Sequence, residues 1–250
     1  MRVHTVKALT LRNIRATFTD KGRVSEILVF PVSFLVIWGL FYASGIAEVH
    51  LASQLLVINL IWSIAGTFQT QANLMLMFDL WSREFAQILR QGVRIEEMFV
   101  SHIIFSTTLG ILNLLVFLFF IVYSFGGGMT EIRMFTELLP LYALSSIGLA
   151  LMFGGFVLYL GRSYAFISWT GLQILIMLSS PFSPISTLPG WLQKLVLVSP
   201  FTFVFEYVRF GRVADYIAGL ILSIIYLFLG TFCAYFFYNK RRKTKGLMEV

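Results

Sequence analysis

Uncharged apolar runs dominate this chain, and the clearest, "IIFSTTLGILNLLVFLFFIVY", extends over Ile103–Tyr123. A helix needs about 20 such residues to cross the hydrocarbon of a bilayer. Six segments are mostly apolar over such a length: Val24–Tyr42, Leu51–Met77, Met98–Phe125, Leu138–Leu160, Tyr164–Ser180 and Tyr216–Tyr238. They are apolar on every side, whereas the strands of a membrane barrel alternate apolar and polar residues over about ten positions. The predicted class is therefore an all-α integral membrane protein with six transmembrane helices in a single domain over residues 1–250. Composition agrees, because a chain that is 58% hydrophobic and 12% charged has too little polar surface for a water-soluble domain of this size.

The net charge of +7 raises the possibility of nucleic acid, but its distribution points to topology. Fifteen of the 19 Lys and Arg residues fall before the first run, after the second, after the fourth or in the tail at 239–250. The remaining four are Arg133, Lys194, Arg209 and Arg212. An excess of Lys and Arg marks cytoplasmic loops, so both termini are expected in the cytoplasm of a multi-pass plasma-membrane protein. The basic balance then serves orientation and membrane lipid headgroups, with no nucleic-acid partner. Residues 1–23 lack an apolar core of their own, so the first span is expected to act as the insertion signal. Cys233 lies alone within the last span and reads as a packing residue.

Within 1–23, Leu11, Ile14 and Phe18 recur at helical spacing while Lys7, Arg12 and Arg15 can reach lipid headgroups, predicting a helix at the membrane interface. The "GGGMTEIRMFTE" segment reads as a short flexible turn. In the fourth span Ser146, Ala150 and Gly154 recur every fourth residue, a stripe that permits close approach of a neighbouring helix, within the chain or from a second copy.

The loop at 78–94 is the most informative. Trp81, Phe85, Ile88 and Leu89 form one face of a short amphipathic helix that Gly92 terminates. Such a helix either lies in the interface or offers its apolar face to a groove on a soluble partner, with Arg83 and Glu84 fixing orientation at the rim. Glu96 and Glu97 point about 100° apart on a helix and so suit a helix start better than a paired acid/base site.

The fifth run is the odd one. Only the dozen residues Ile167–Leu178 are uninterrupted before Ser179, Ser180 and Pro181, which suits a half-length segment. The region 181–213 beyond it carries Pro181, Pro184, Pro189 and Pro200, with Ser186 or Thr187 as a cap and Trp191, Leu192, Leu195 and Val196 at helical spacing before Pro200 stops the run. Two short helices dipping back into the membrane from outside are expected.

The stretch "SPISTLPGWLQKLVLVSPFTFVFEYVR" resembles the C-terminal signature of the type-2 ABC transporter permeases. Its matching features are a proline-containing segment, a Leu-Pro-x-Trp-like turn, a short helix, the proline at 200 and a Glu-x-x-Arg-like pair at Glu206 and Arg209. The order of elements along the whole chain resembles that family too. The resemblance implies a coupling helix at Trp81, Arg83, Glu84, Phe85 and Ile88 seated on an ATPase subunit. It also implies an external gate at Pro181, Pro184, Pro189, Trp191, Pro200, Glu206 and Arg209, and an assembly of two copies of this chain with two ATPase subunits. The chain has no Gly-Lys dipeptide and hence no P-loop, so ATP and Mg are expected on the partner, with no catalytic residue, metal or cofactor held by this chain.

Asn59, Gln69, Gln71, Asn73, Asn113 and Gln173 must face the bundle interior, lining a pathway or bonding between helices. Phe68, Met75, Phe166 and Met177 are candidates for an apolar cavity wall suited to an amphiphilic or hydrophobic solute, such as a drug-like compound, a lipid or a lipid-linked glycan. A secondary transporter would need ionisable groups in the spans, and only His102 occurs within Leu51–Met77 and Met98–Phe125. A lipid-modifying membrane enzyme would need clustered His, Asp or Glu, yet His4, His50 and His102 are scattered in sequence. A non-transporting scaffold would have no use for the half-length segment.

Overall fold

Every regular element among the described residues is helical, as lipid requires of a chain without a closed barrel. The computed structural model describes residues 1–45, 48–82, 84–124 and 128–244. The elements are α1 (Val3–Thr19), α2 (Lys21–Ala43), α3 (Val49–Trp81), α4 (Glu84–Arg90), α5 (Ile95–Tyr123), α6 (Met129–Glu137), α7 (Leu139–Leu160), α8 (Phe166–Leu178), α9 (Gly190–Val196), α10 (Pro200–Phe210) and α11 (Val213–Thr244).

Five of these, α2, α3, α5, α7 and α11, are long and apolar enough to cross a membrane. The sixth expected span is α8, whose 13 residues cover about 20 Å, short of the ~30 Å hydrocarbon layer. Polar Ser179 and Ser180 and then Pro181 end it, and Ser180 takes a left-handed φ of 56° to turn the chain. The tail is not a separate unit at its start, since α11 continues to Thr244; the rest, with Lys245, lies outside the described residues. The glycine-rich segment also differs from a bare turn. Residues 125–127 lie outside the described residues, but Met129–Glu137 forms α6, where buried Glu131 accepts from Ser53 Oγ at 2.7 Å and from the Gly128 N–H at 2.9 Å.

Small residues set the packing of α7. A Cβ placed on Gly230 of α11 would stand 2.0 Å from the Gly148 carbonyl oxygen, and one on Gly155 would stand 2.8 Å from Ala234 Cα. These two helices touch backbone to backbone, and Ser145 Oγ and Ser223 Oγ, 2.8 Å apart, join them by a hydrogen bond. The Ser146, Ala150, Gly154 stripe is a second face, buried within the chain. Gly154 meets Asn73 and Leu76 of α3.

At one end of the bundle the start of α1, the connection from α4 to α5 and the end of α11 line one groove, through Met1, Leu89, Arg94, Tyr238 and Arg242. The turn after α8, with α9 and α10, lies at the other end of α8.

Candidate functional site

Helix α3 runs on to Trp81, a turn at Ser82 comes next, and α4 begins at Glu84; Arg83 lies outside the described residues. Gly92, at φ 78°, ends the unit in a conformation that side chains with a Cβ rarely adopt. Phe85 and Ile88 do not face outward. They are buried against Leu9, Leu76, Met77, Leu80 and Met98, so the apolar face expected to fill a partner's groove is covered by this chain's own helices. Trp81 remains 41% exposed and the Glu84 side chain 43%, which leaves these two, from the expected set, on the surface.

Helix α1 is fastened to this corner by charge. Asp79, fully buried, accepts from Arg12 Nη2 at 2.7 Å and pairs with His102 Nε2 at 3.2 Å. Arg12 Nη1 is also 3.7 Å from Glu84 Oε2, so one guanidinium touches both the end of α3 and the start of α4. Arg12 was expected among lipid headgroups, but Val6, Leu9, Asn13 and Thr17 form the buried face of α1, and this rotation turns Arg12 inward while Leu11 and Phe18 stay exposed. The second clasp is Arg2, which donates to Glu97 at 2.8 Å and to the Gly92 carbonyl at 2.5 Å. The bond to Glu97 raises the Arg2 pKa further above its ordinary value. Glu97 also accepts from the Arg94 N–H at 3.1 Å, the helix-start role expected of it.

At the opposite end of α8 the chain turns through Pro181 and Pro184 into a single 3₁₀ turn, Ile185–Thr187, and then α9. Pro189 immediately precedes α9, and Pro200 opens α10 behind a Ser199 cap instead of stopping α9, which already ends at Val196. Pro at the first position of a helix costs nothing because that N–H has no helical acceptor. Glu206 and Arg209 of α10 hold the turn. Arg209 Nη2 donates to the carbonyls of Ser180 at 2.7 Å and Pro181 at 2.5 Å, its Nη1 donates to Glu206 Oε1 at 3.2 Å, and that oxygen also accepts from the Ile185 N–H at 3.2 Å. Burial lowers the Arg209 pKa, while the bond to Asp215 raises that of Arg212, whose guanidinium also reaches Glu206 Oε2 at 3.0 Å. Trp191 projects outward, 71% exposed.

Between these ends lies a cavity of about 420 Å³ walled by α2, α3 and α8. Of the polar pathway candidates, Gln173 and Gln71 line it. The others bond elsewhere: Asn59 to the Leu55 carbonyl, Gln69 to the Ser168 carbonyl and Asn113 to Thr67 Oγ1, while Asn73 packs against Gly154. Phe68 and Met75 are buried in the core and Phe166 and Met177 are exposed, so the expected apolar wall is replaced by Phe34, Trp62 and Trp169. Trp62 Nε1 donates to Gln173 Oε1 at 2.5 Å, which ties α3 to α8.

Sequence reasoning missed Asp79, because it lies just beyond the apolar run ending at Met77, and Glu26, which lies just inside the first. Their signal is a single carboxylate at the edge of an apolar run, where charge is costly unless paired or wet.

Five crossing-length helices around a closely packed interior, with charged clusters at both ends, define a multi-pass helical membrane protein. Residues 5–211 match the ABC-2 type transporter family, so the chain belongs to that family of transporter membrane subunits. The match runs from α1 through α10. Among curated proteins, none matches the chain.

Proposed function

We propose that this chain is the permease subunit of an ABC exporter that moves an amphiphilic or hydrophobic substrate outward, powered by a separate ATPase subunit that holds ATP and Mg. The carrying observation is the corner where α4 meets α1: Glu84 is exposed, and Arg12 links it to buried Asp79 and thence to His102 of α5. A push on α4 from a partner is thereby handed to α3 and α5 through charged contacts as well as through the packed Phe85 and Ile88. Family membership supports a partnership with ATPase subunits.

In this reading two copies of the chain and two ATPases form the transporter in the plasma membrane. Both termini and α4 face the cytoplasm, which the excess of Lys and Arg favours. ATPase closure displaces α4, one permease rocks against the other, and a path opens toward the outside past α3, α8 and the proline turn. The turn, α9 and α10 form the external re-entrant gate, held closed in shape by Glu206 and Arg209.

The test is mild purification of the tagged chain from its native membrane, with the Glu84→Arg variant alongside. A soluble ATPase recovered in one-to-one ratio with the wild type and lost with the variant is the expected result. Recovery of no ATPase with the wild type would overturn the proposal, and undiminished recovery with Glu84→Arg would remove α4 as the coupling element.

A further inference from the structure

The cavity walled by α2, α3 and α8 has a chemical bias. Glu26 is the only ionisable side chain among the described residues lining it, and no cationic group of those residues pairs with it. The other polar features nearby are acceptors or neutral. Pro31 carries no N–H, so the Ile27 carbonyl lacks its helical donor, and both residues line the space. Ser63 Oγ is buried and has no hydrogen-bond partner among the described residues. The aromatic lining consists of Phe34, Trp62 and Trp169, whose ring faces are electron-rich and attract cations.

These groups are ordered along the cavity. Glu26, Ile27, Pro31 and Phe34 recur along one side of α2, and Trp62, Ser63, Gly66, Thr67, Thr70 and Gln71 along one side of α3. The two helices run antiparallel, with Arg23 over the Phe78 ring and Ile27 clustered with Met75, so Glu26 lies toward the Thr70 and Gln71 end of the cavity and Phe34 toward the Trp62 end. Eight residues of helix separate Glu26 from Phe34, about 12 Å. One end is thus anionic and polar, and the other is apolar and aromatic. The volume of about 420 Å³ falls within the range of small-molecule sites.

We infer that this cavity binds an amphiphile with a cationic head, its charge against Glu26 and its apolar body between Phe34 and Trp62. The inference rests on the exporter reading only for its name as cargo; the site stands on its own lining. In the orientation proposed above, the head lies toward the cytoplasmic side, where a positively charged amphiphile would enter.

The experiment is titration calorimetry of the full chain in a neutral detergent with tetraphenylphosphonium and tetraphenylborate, ions of similar size and opposite charge. We expect the cation to bind more tightly, and Glu26→Gln to weaken the cation about fivefold to tenfold without weakening the anion. Glu26 is exposed, so the variant should fold, and an unchanged melting temperature checks this. Equal binding of the two ions to the wild type, or an unchanged cation preference in Glu26→Gln, would overturn the inference. Displacement of the phosphonium by dodecylphosphocholine identifies a choline lipid headgroup as the cationic end, and failure to displace it identifies a lipophilic cation. Because the isolated chain carries no ATPase, cation binding can succeed where ATPase recovery fails, and the reverse.

Discussion

Replacing Arg209 by Gln should release the turn after α8. The Arg209 and Glu206 side chains are only 7% and 5% exposed, so neither is solvated well enough to lose its partner cheaply. The substitution removes donors to the Ser180 and Pro181 carbonyls, about 1 kcal/mol each, and leaves Glu206 with the half-exposed Arg212 alone, for about another 1 kcal/mol. The total is about 3 kcal/mol. Glu206→Gln keeps an acceptor for the Ile185 N–H and should cost about 1 to 2 kcal/mol, and the double variant should fall short of the sum by about 1 kcal/mol because the two residues share one interaction. Stability would be followed by denaturant unfolding in detergent. Local release would be read from maleimide labelling of Ser183→Cys in a Cys233→Ala background, which should accelerate when Arg209 is replaced. A loss below about 0.5 kcal/mol with unchanged labelling, or strict additivity of the two substitutions, would refute the claim that this pair holds the turn.

Asp79→Asn removes the charge shared by Arg12 and His102; we expect a loss of about 2 to 3 kcal/mol and faster tryptic cleavage within α1, whereas unchanged cleavage would show that packing alone holds the helix. Gly230→Ala must separate α7 from α11, since its Cβ would meet the Gly148 oxygen at 2.0 Å, and should lower stability by about 3 kcal/mol in the same unfolding assay. Gly66→Ala, where a Cβ meets nothing within 4 Å, should instead be neutral or stabilising by about 0.5 to 1 kcal/mol. Equal effects at the two glycines would contradict the packing argument.

Arginine at helix ends is a recurring device in this fold. Arg209 donates to the Ser180 and Pro181 carbonyls in the turn after α8, Arg241 donates to the Leu158 carbonyl near the end of α7, and Arg2 reaches the Gly92 carbonyl just past α4. The last carbonyls of a helix have no internal donor and carry the negative end of its dipole, so Arg241 both satisfies and neutralises one of them, whereas Arg209 and Arg2 hold the backbone of the turns that follow their helices. Counted in sequence, these residues only bias topology. In the folded chain they also hold the backbone at and just beyond helix ends.

The sequence by itself determined the features that local composition controls. Long apolar runs dictated helices, Gly92 ended the α4 unit, and Ser179 to Pro184 forced α8 to finish early, because these effects act within a few residues of their cause. Only tertiary structure decided which way the helices turn. Phe85 and Ile88 form an apolar face in either environment, and it took the presence of Leu9, Leu80 and Met98 to direct that face inward rather than toward a partner. The pairing of Arg12 with Asp79 and of Arg209 with the Ser180 carbonyl joins residues far apart in the chain, and periodicity carries no information about such distant partners. The cavity is likewise a product of three helices meeting: Glu26, Trp62 and Trp169 acquire a common purpose only when α2, α3 and α8 bring them to one space.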